Sequence, residues 1–308
     1  MILSICPNPS IDCTIELDSL NVGKLNRIDN KVETYSGKAL NVAMGVARLG
    51  GDSLATGFMF DNHGKMFEYN LNKEGVKHQF VYNSGNARVN YKLIDKRAML
   101  TEINDRGETV SRDKQLELIE KVKILSQGAE IAVMSGSLPK GVSSKFYGEV
   151  LSVIPKDVKV IVDTEKDNML SAIGSREIFI AKPNLRELES FTDTIVTDIK
   201  DMVKASSAYI DRGVKYVMLS LGADGAILTD GSESFFCKSA SVAVNSTVGA
   251  GDCMVAASCV ALSQGLSMPE VLRHAVAAGT AAVTTSGTNL FYKDKYQEIY
   301  KKIFTEKI

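Results

Sequence analysis

From about Ile131 onward the chain alternates short β-branched runs with helical patterns, and this alternation restricts the fold more than any other feature. Ile131 to Met134, Val158 to Val162, Ile178 to Ala181 and Tyr216 to Leu219 read as buried strands. Lys145 to Val153, Leu185 to Phe191 and Asp198 to Arg212 carry helix-like spacing. Strands that alternate with helices imply a parallel sheet covered on both faces. Ligands of such a sheet lie beyond the carboxyl ends of its strands. Polar and glycine clusters fall at those ends: Ser135-Gly136-Ser137, Lys182-Pro183-Asn184 and Ser220-Leu221-Gly222.

The first third reads differently. Ile2 to Cys6 starts a buried strand, whereas Thr14 to Leu17 and Arg27 to Tyr35 are half-polar extended segments. Arg88 to Ile94 and Met99 to Ile103 form a hairpin around Asp95-Lys96-Arg97. These pieces have strand character without following helices, which suggests a small second sheet, serving as a lid or a dimer surface. Ala39 to Leu49 is apolar at helical spacing and stops at Gly50-Gly51.

The 308 residues suffice for a sizeable core. A net charge of -1 with no lysine/arginine block argues against a nucleic-acid partner, so any phosphate recognition is local. No signal-like start or bilayer-length apolar run is present, so no membrane role is expected. Five cysteines without a Cys-x-x-Cys pair suit a reducing cytoplasm. His63, His78 and His274 lack metal-ligand spacing.

The segment Asn245-Ser246-Thr247-Val248-Gly249-Ala250-Gly251-Asp252-Cys253-Met254 carries the chemistry. It places small residues and one carboxylate at the head of an apolar helical run, Met254 to Leu262. Unpaired N–H groups of Gly249, Ala250 and Gly251 there suit an anion. Asp252 beside that pocket can take the proton of a hydroxyl attacking phosphorus. Phosphoryl transfer to an alcohol follows; a glycine loop capping a core helix is the plainer alternative.

A second cluster comprises Asn8, Asp12 and Ser36-Gly37-Lys38-Ala39-Leu40-Asn41. Asp12 follows the first strand, where a carboxylate can accept from two sugar hydroxyls. Gly37 and Ala39 leave room at a helix start, and Asn41 offers a donor and an acceptor. Arg88 and Asn90 share one strand face, and Arg88 suits a bidentate phosphate contact. Lys24 and Arg27 are further basic candidates. Asn184 and Glu187 share a helix face and could hold hydrated magnesium through water, or form a helix cap without any metal. Ser220 to Gly225 is a tight turn that either passes a nucleotide or only turns. A P-loop, a dinucleotide fingerprint and a Gly-x-Ser-x-Gly elbow are all missing.

These clusters together resemble the PfkB (ribokinase-like) family of carbohydrate kinases, over nearly the whole chain. The signature Thr-x-Gly-Ala-Gly-Asp matches Thr247 to Asp252; the N-terminal signature matches Gly37, Ala39, Asn41 and Ala43, with Gly50 closing it; Asn-x-x-Glu matches Asn184 to Glu187. Lys38, Arg88-Val89-Asn90, Thr101 to Asn104 and Ser135 to Pro139 look like the branch of 1-phosphofructokinases and tagatose-6-phosphate kinases. Ser36 where the family has glycine, Ala39, Ser246 and Cys253 depart from the usual pattern.

The resemblance implies one α/β domain over residues 1–308. Its fold would be a ribokinase-like three-layer α/β/α sandwich with a mostly parallel sheet. A small β-sheet lid would come from segments near 12–36 and 86–106, with a homodimer through that lid as an option. It implies transfer from ATP, with Mg2+, to a ketohexose phosphate in the cytoplasm. Fructose 1-phosphate is the preferred acceptor and tagatose 6-phosphate the alternative; a non-catalytic sugar-phosphate-binding regulator is a third reading. Asp252 would be the base and Gly249, Ala250 and Gly251 the anion hole. Asp12, Lys24, Gly37, Lys38, Asn41, Arg88, Asn90 and Ser137 would bind the acceptor. Lys182, Asn184, Ser220, Gly222, Gly225 and Gly249 would face the nucleotide, with Glu187 and Asn184 reaching the metal through water. Cys253, beside the base, would react with thiol reagents if exposed and be inert if buried.

Overall fold

The computed structural model describes every residue except residue 98 and residues 286–289. Residue 98 belongs to the expected lid segment 86–106, so that position lies outside the described residues.

Strand Ile2–Cys6 is apolar and wholly buried because it stands inside a ten-stranded sheet, hydrogen-bonded on both sides. On one side follow Ser53–Asn62 and Lys77–Asn86, all parallel. On the other come Ile131–Ser135, Lys159–Asp163, Ile178–Ala181 and Val214–Ser220, also parallel. Ala226–Thr229, Ser234–Cys237 and Thr305–Lys307 extend this edge in antiparallel fashion. The expected strand–helix alternation is present, with helices Lys145–Ser152, Leu185–Thr192 and Ile199–Ile210 close to the expected bounds.

The first third departs from expectation. After Ile2–Cys6 the chain does run through helices, Lys38–Arg48 and Gly64–Lys73, on its way to Ser53–Asn62 and Lys77–Asn86. This third supplies three of the ten strands of the large sheet. The half-polar segments are insertions within that pattern: Ser10–Leu17, Asn30–Ser36, Arg88–Asp95 and Leu100–Asn104 pair into a separate four-stranded sheet. One face of it buries Cys13, Ile15 and Leu17 with Val89 and Leu93.

Helix Ala250–Ser263 is buried from Asp252 to Leu262. A helix apolar all round belongs in a core, and this one packs between Lys38–Arg48 and Met268–Ala282. Small residues set the spacing. A Cβ on Gly45 would stand 2.7 Å from the Cβ of Ala256. In an open helix Gly45→Ala would stabilise by about 1 kcal/mol. Here overpacking reverses the sign, and we expect a loss of about 1–3 kcal/mol in urea unfolding. A gain would show that the two helices are not held this close.

Candidate active site

The carboxyl ends of the parallel strands open into a cleft of about 960 Å³. Asp163 ends the strand Lys159–Asp163, Lys182 follows Ile178–Ala181, and Ser220 ends Val214–Ser220. Helices Lys38–Arg48 and Ala250–Ser263 present their N-termini to the same space, and the small sheet forms the opposite wall. Gly37, with φ 149, and Gly249, with φ 81, precede these helices in backbone that disfavours a side chain. At Gly37 a Cβ would also meet Cys6 Sγ at 2.8 Å.

The transfer end gathers two carboxylates and two ammonium groups. Asp252 is 5% exposed and accepts from Asn41 Nδ2 at 2.8 Å, while Ser36 donates to Asn41 Oδ1 at 3.1 Å. Burial raises the Asp252 carboxyl from 3.8 to about 6, partly offset by Lys38. Asp163 lies between Lys38 Nζ at 3.3 Å and Lys182 Nζ at 3.4 Å. Burial pushes Asp163 up, but the Lys182 and Lys38 ammoniums outweigh it and hold it below its ordinary value. Asp163 in turn raises Lys38. A Cβ on Gly251 would lie 3.1 Å from Lys182 Nζ, so that ammonium sits over the helix N-terminus. Among the described residues no main-chain acceptor meets the N–H groups of Gly249, Ala250 or Gly251. Cations above exposed amides form a site for an anion.

A second end of the cleft lies on the small sheet. Arg88 donates from Nη1 to Asp105 O and from Nη2 to Asn8 O, both at 3.2 Å, leaving its buried Nε without a partner among the described residues. The guanidinium is thus held by the main chain while keeping donors for a ligand. Asn8 Nδ2 reaches Ser137 Oγ at 3.4 Å, and Ser137, Asp12 and Asn90 line the wall. Lys24 does not join them; it lies in an exposed loop outside the cleft lining.

The far end suits a nucleotide. Ser220, Gly222 and Gly225 lie beside the apolar Val242, Val244, Val276 and Val283. Asn184 and Glu187 form the capping box that the sequence left open against a metal role: Glu187 N donates to Asn184 Oδ1 at 2.9 Å and Asn184 N to Glu187 Oε2 at 2.8 Å. Among the described residues no group of three acidic, histidine or cysteine side chains converges as a metal cage. Magnesium typically uses one or two carboxylates, waters and substrate phosphates. Glu187, with one carboxylate oxygen in the cap and its side chain in the cleft lining, fits that weaker demand.

The model for the pfkB family carbohydrate kinases matches residues 7–295. The chain belongs to this family. It is 32% identical to a 1-phosphofructokinase of Borreliella burgdorferi over 282 residues, 91% of each chain. It is 30% identical to a tagatose-6-phosphate kinase of Staphylococcus epidermidis over 306 residues, 98% of each. The phosphofructokinase-2 from Escherichia coli in complex with substrates and products superposes with TM-score 0.91 at 30% identity, over 98% of both chains. As a carbohydrate kinase of this family, the chain takes ATP as substrate.

Motif reasoning missed several residues of the cleft: Ser10, Lys92, Asp163 and the valines of the nucleotide end. Asp163 had one signal, a carboxylate at the carboxyl end of a buried strand. Cys253 is fully buried, and burial pushes its thiol up to about 12, so it is the inert case.

Raised from 3.8 to about 6, Asp252 binds its proton more tightly folded than unfolded. The folded state then carries no penalty below the unfolded value and a growing one as pH rises through about 6. That difference corresponds to about 3 kcal/mol. Asp252→Asn should therefore stabilise the substrate-free protein by up to about 3 kcal/mol at about pH 8, with the gain vanishing below about pH 4. Urea unfolding at both pH values measures this; an equal effect at the two would remove the buried-charge assignment.

Proposed function

We propose that the protein catalyses ATP-dependent phosphorylation of a ketohexose phosphate, at the hydroxyl remote from its existing phosphate. The observation that carries this is the pairing of one buried carboxylate, Asp252, with the exposed amides of its own helix beneath the Lys182 ammonium. The names of the relatives support fructose 1-phosphate as acceptor. Tagatose 6-phosphate is the second reading, supported by the equally full-length tagatose-6-phosphate kinase relative. The two sugars differ mainly in ring hydroxyl stereochemistry, a small handle for discrimination.

In this reading Arg88 receives the existing phosphate through its free donors. Lys38 takes a different part from the one its motif suggested. It stands beside Asp163 and Asp252, so it serves the transferred group rather than the remote phosphate. The acceptor oxygen attacks the γ-phosphorus and its proton passes to Asp252 as the bond to the β-phosphate oxygen breaks and ADP leaves. Lys38, Lys182 and the amides of Gly249, Ala250 and Gly251 stabilise the charge that gathers on the group in flight, at about 3 kcal/mol for a well-placed donor. Glu187 and Asn184 would hold magnesium through water, and the ion would supply further charge neutralisation. Asp252, Asn184 and Glu187 are all in place, which favours catalysis over a regulatory role.

ADP release with ATP and magnesium against fructose 1-phosphate, tagatose 6-phosphate, fructose 6-phosphate, fructose and ribose tests the reading. One of the first two should lead. Asp252→Asn should lower kcat by roughly 10²- to 10⁴-fold, and wild-type kcat/KM should fall as pH drops through about 6. Turnover of only unphosphorylated sugars would discard the role of Arg88.

A single domain over residues 1–308, with the small sheet as its lid, fits the way that sheet walls the cleft. Pairing of two copies through it is supported by exposed Tyr91 and Ile103, paired neighbours on the sheet face away from the cleft, and by Leu20, Val22, Leu25 and Ile28 on its loop. Light scattering should give a dimer for the wild type and a monomer for Val22→Asp combined with Leu25→Asp; a monomeric wild type at micromolar concentration would end the idea. Five free, buried cysteines support a reducing, cytoplasmic setting.

A further inference from the structure

Lys92 stands in the cleft wall, yet neither the motifs nor the transfer chemistry use it. Strands Ser10–Leu17 and Arg88–Asp95 pair with Ser10 opposite Arg88, Asp12 opposite Asn90 and Thr14 opposite Lys92. Alternation sends these side chains to one face. The Lys92 ammonium lies 3.0 Å from Asp12 Oδ2, and the two side chains are only 7% and 8% exposed.

The acceptors can be counted. Asp12 Oδ1 receives Ser10 Oγ at 3.1 Å and Asn90 Nδ2 at 3.2 Å. A carboxylate offers about four acceptor positions. Lys92 takes one on Oδ2, which leaves one open rather than the two that the sequence reading gave to sugar hydroxyls. The second acceptor is elsewhere. Asn90 donates to Asp12, which fixes its amide orientation, because the reverse would set oxygen against carboxylate. Its Oδ1 is buried and, among the described residues, without a partner. A buried acceptor left unpaired is costly, and a hydroxyl donor from a ligand would satisfy it. The wall thus presents two open acceptors, on Asp12 and on its neighbour Asn90.

The geometry points to Lys92 as the positioning residue for the acceptor sugar. Its ammonium keeps Asp12 turned so that Asp12 Oδ2 and Asn90 Oδ1 receive two hydroxyls of the sugar ring. This rests on the sugar-phosphate kinase reading of the cleft. Arg88 reads the phosphate; Lys92 acts on the ring, and only through Asp12.

The test is steady-state kinetics for acceptor and ATP with the wild type, Lys92→Met, Lys92→Arg, Asp12→Asn and the double variant D12N/K92M. Breaking a buried pair from one side leaves an uncompensated charge. Lys92→Met should therefore raise the acceptor KM by about 10²-fold or more, with the ATP KM unchanged and kcat altered less. Lys92→Arg should recover most of that loss. The double variant carries no unpaired buried charge and so serves even where Lys92→Met fails to fold. Its acceptor KM should equal that of Asp12→Asn, since Lys92 has nothing left to position. A further tenfold loss in the double variant, or an unchanged acceptor KM in folded Lys92→Met, would overturn the inference. Wild-type protein that binds ATP yet turns over no sugar phosphate would instead remove the kinase reading, and this inference with it.

Discussion

The close contact between helices Lys38–Arg48 and Ala250–Ser263 is the constraint on which the rest of the site depends. Gly45 against Ala256 lets the two axes approach, and their N-termini then face one cleft. Exposed amides from two helices make that region receptive to anions before any side chain contributes. The same packing buries Asp252. Desolvation raises its carboxyl to about 6, near neutrality and within the range useful to a base. Core packing and base strength therefore share one cause.

Charge is distributed along the cleft in alternating sign. At the transfer end Asp163 divides its carboxylate between Lys38 and Lys182, so two cations stay close without repelling each other apart. At the acceptor end Asp12 and Lys92 form a second buried pair, beside Arg88. In both clusters the buried carboxylate has an ammonium partner, as burial requires. The arrangement keeps the site close to neutral while directing donors at the positions where phosphoryl oxygens would collect. The small sheet supplies one end and the large sheet the other, so in the proposed reaction the acceptor and the nucleotide would meet across a boundary between two separately paired sheets.

Much of the architecture was legible in the chain because burial on both faces demands continuous β-branched runs. Ile131–Ser135, Lys159–Asp163 and Ile178–Ala181 show this plainly. Ser53–Asn62 escaped, although eight of its ten residues are buried, because it holds a single β-branched residue, Thr56, and is interrupted by Gly57. Lys77–Asn86 escaped because an edge strand tolerates polar residues. The half-polar strands of the small sheet were recognisable by their alternation. Their insertion into a βαβ pattern was not, since pairing partners lie far apart in sequence.

The site divided in the same way. Short motifs fixed by backbone needs, glycines before a helix and a carboxylate in its first turn, are local and were readable: Gly37, Gly249, Gly251 and Asp252. Asn184 and Glu187 were readable as a pair but not as to use, because a capping box and a metal site share one spacing. Lys92 and Asp163 carried little local mark, being ordinary polar residues within or at the end of strands. Their significance arises from partners 80 and 125 residues away. By itself the sequence determined many of the strands and helices and where an anion could rest, because those depend on neighbours within a few residues. Only the tertiary structure decided which charges face one another, how deeply they are buried and which acceptors remain open, because desolvation and pairing are properties of surfaces brought together from distant parts of the chain.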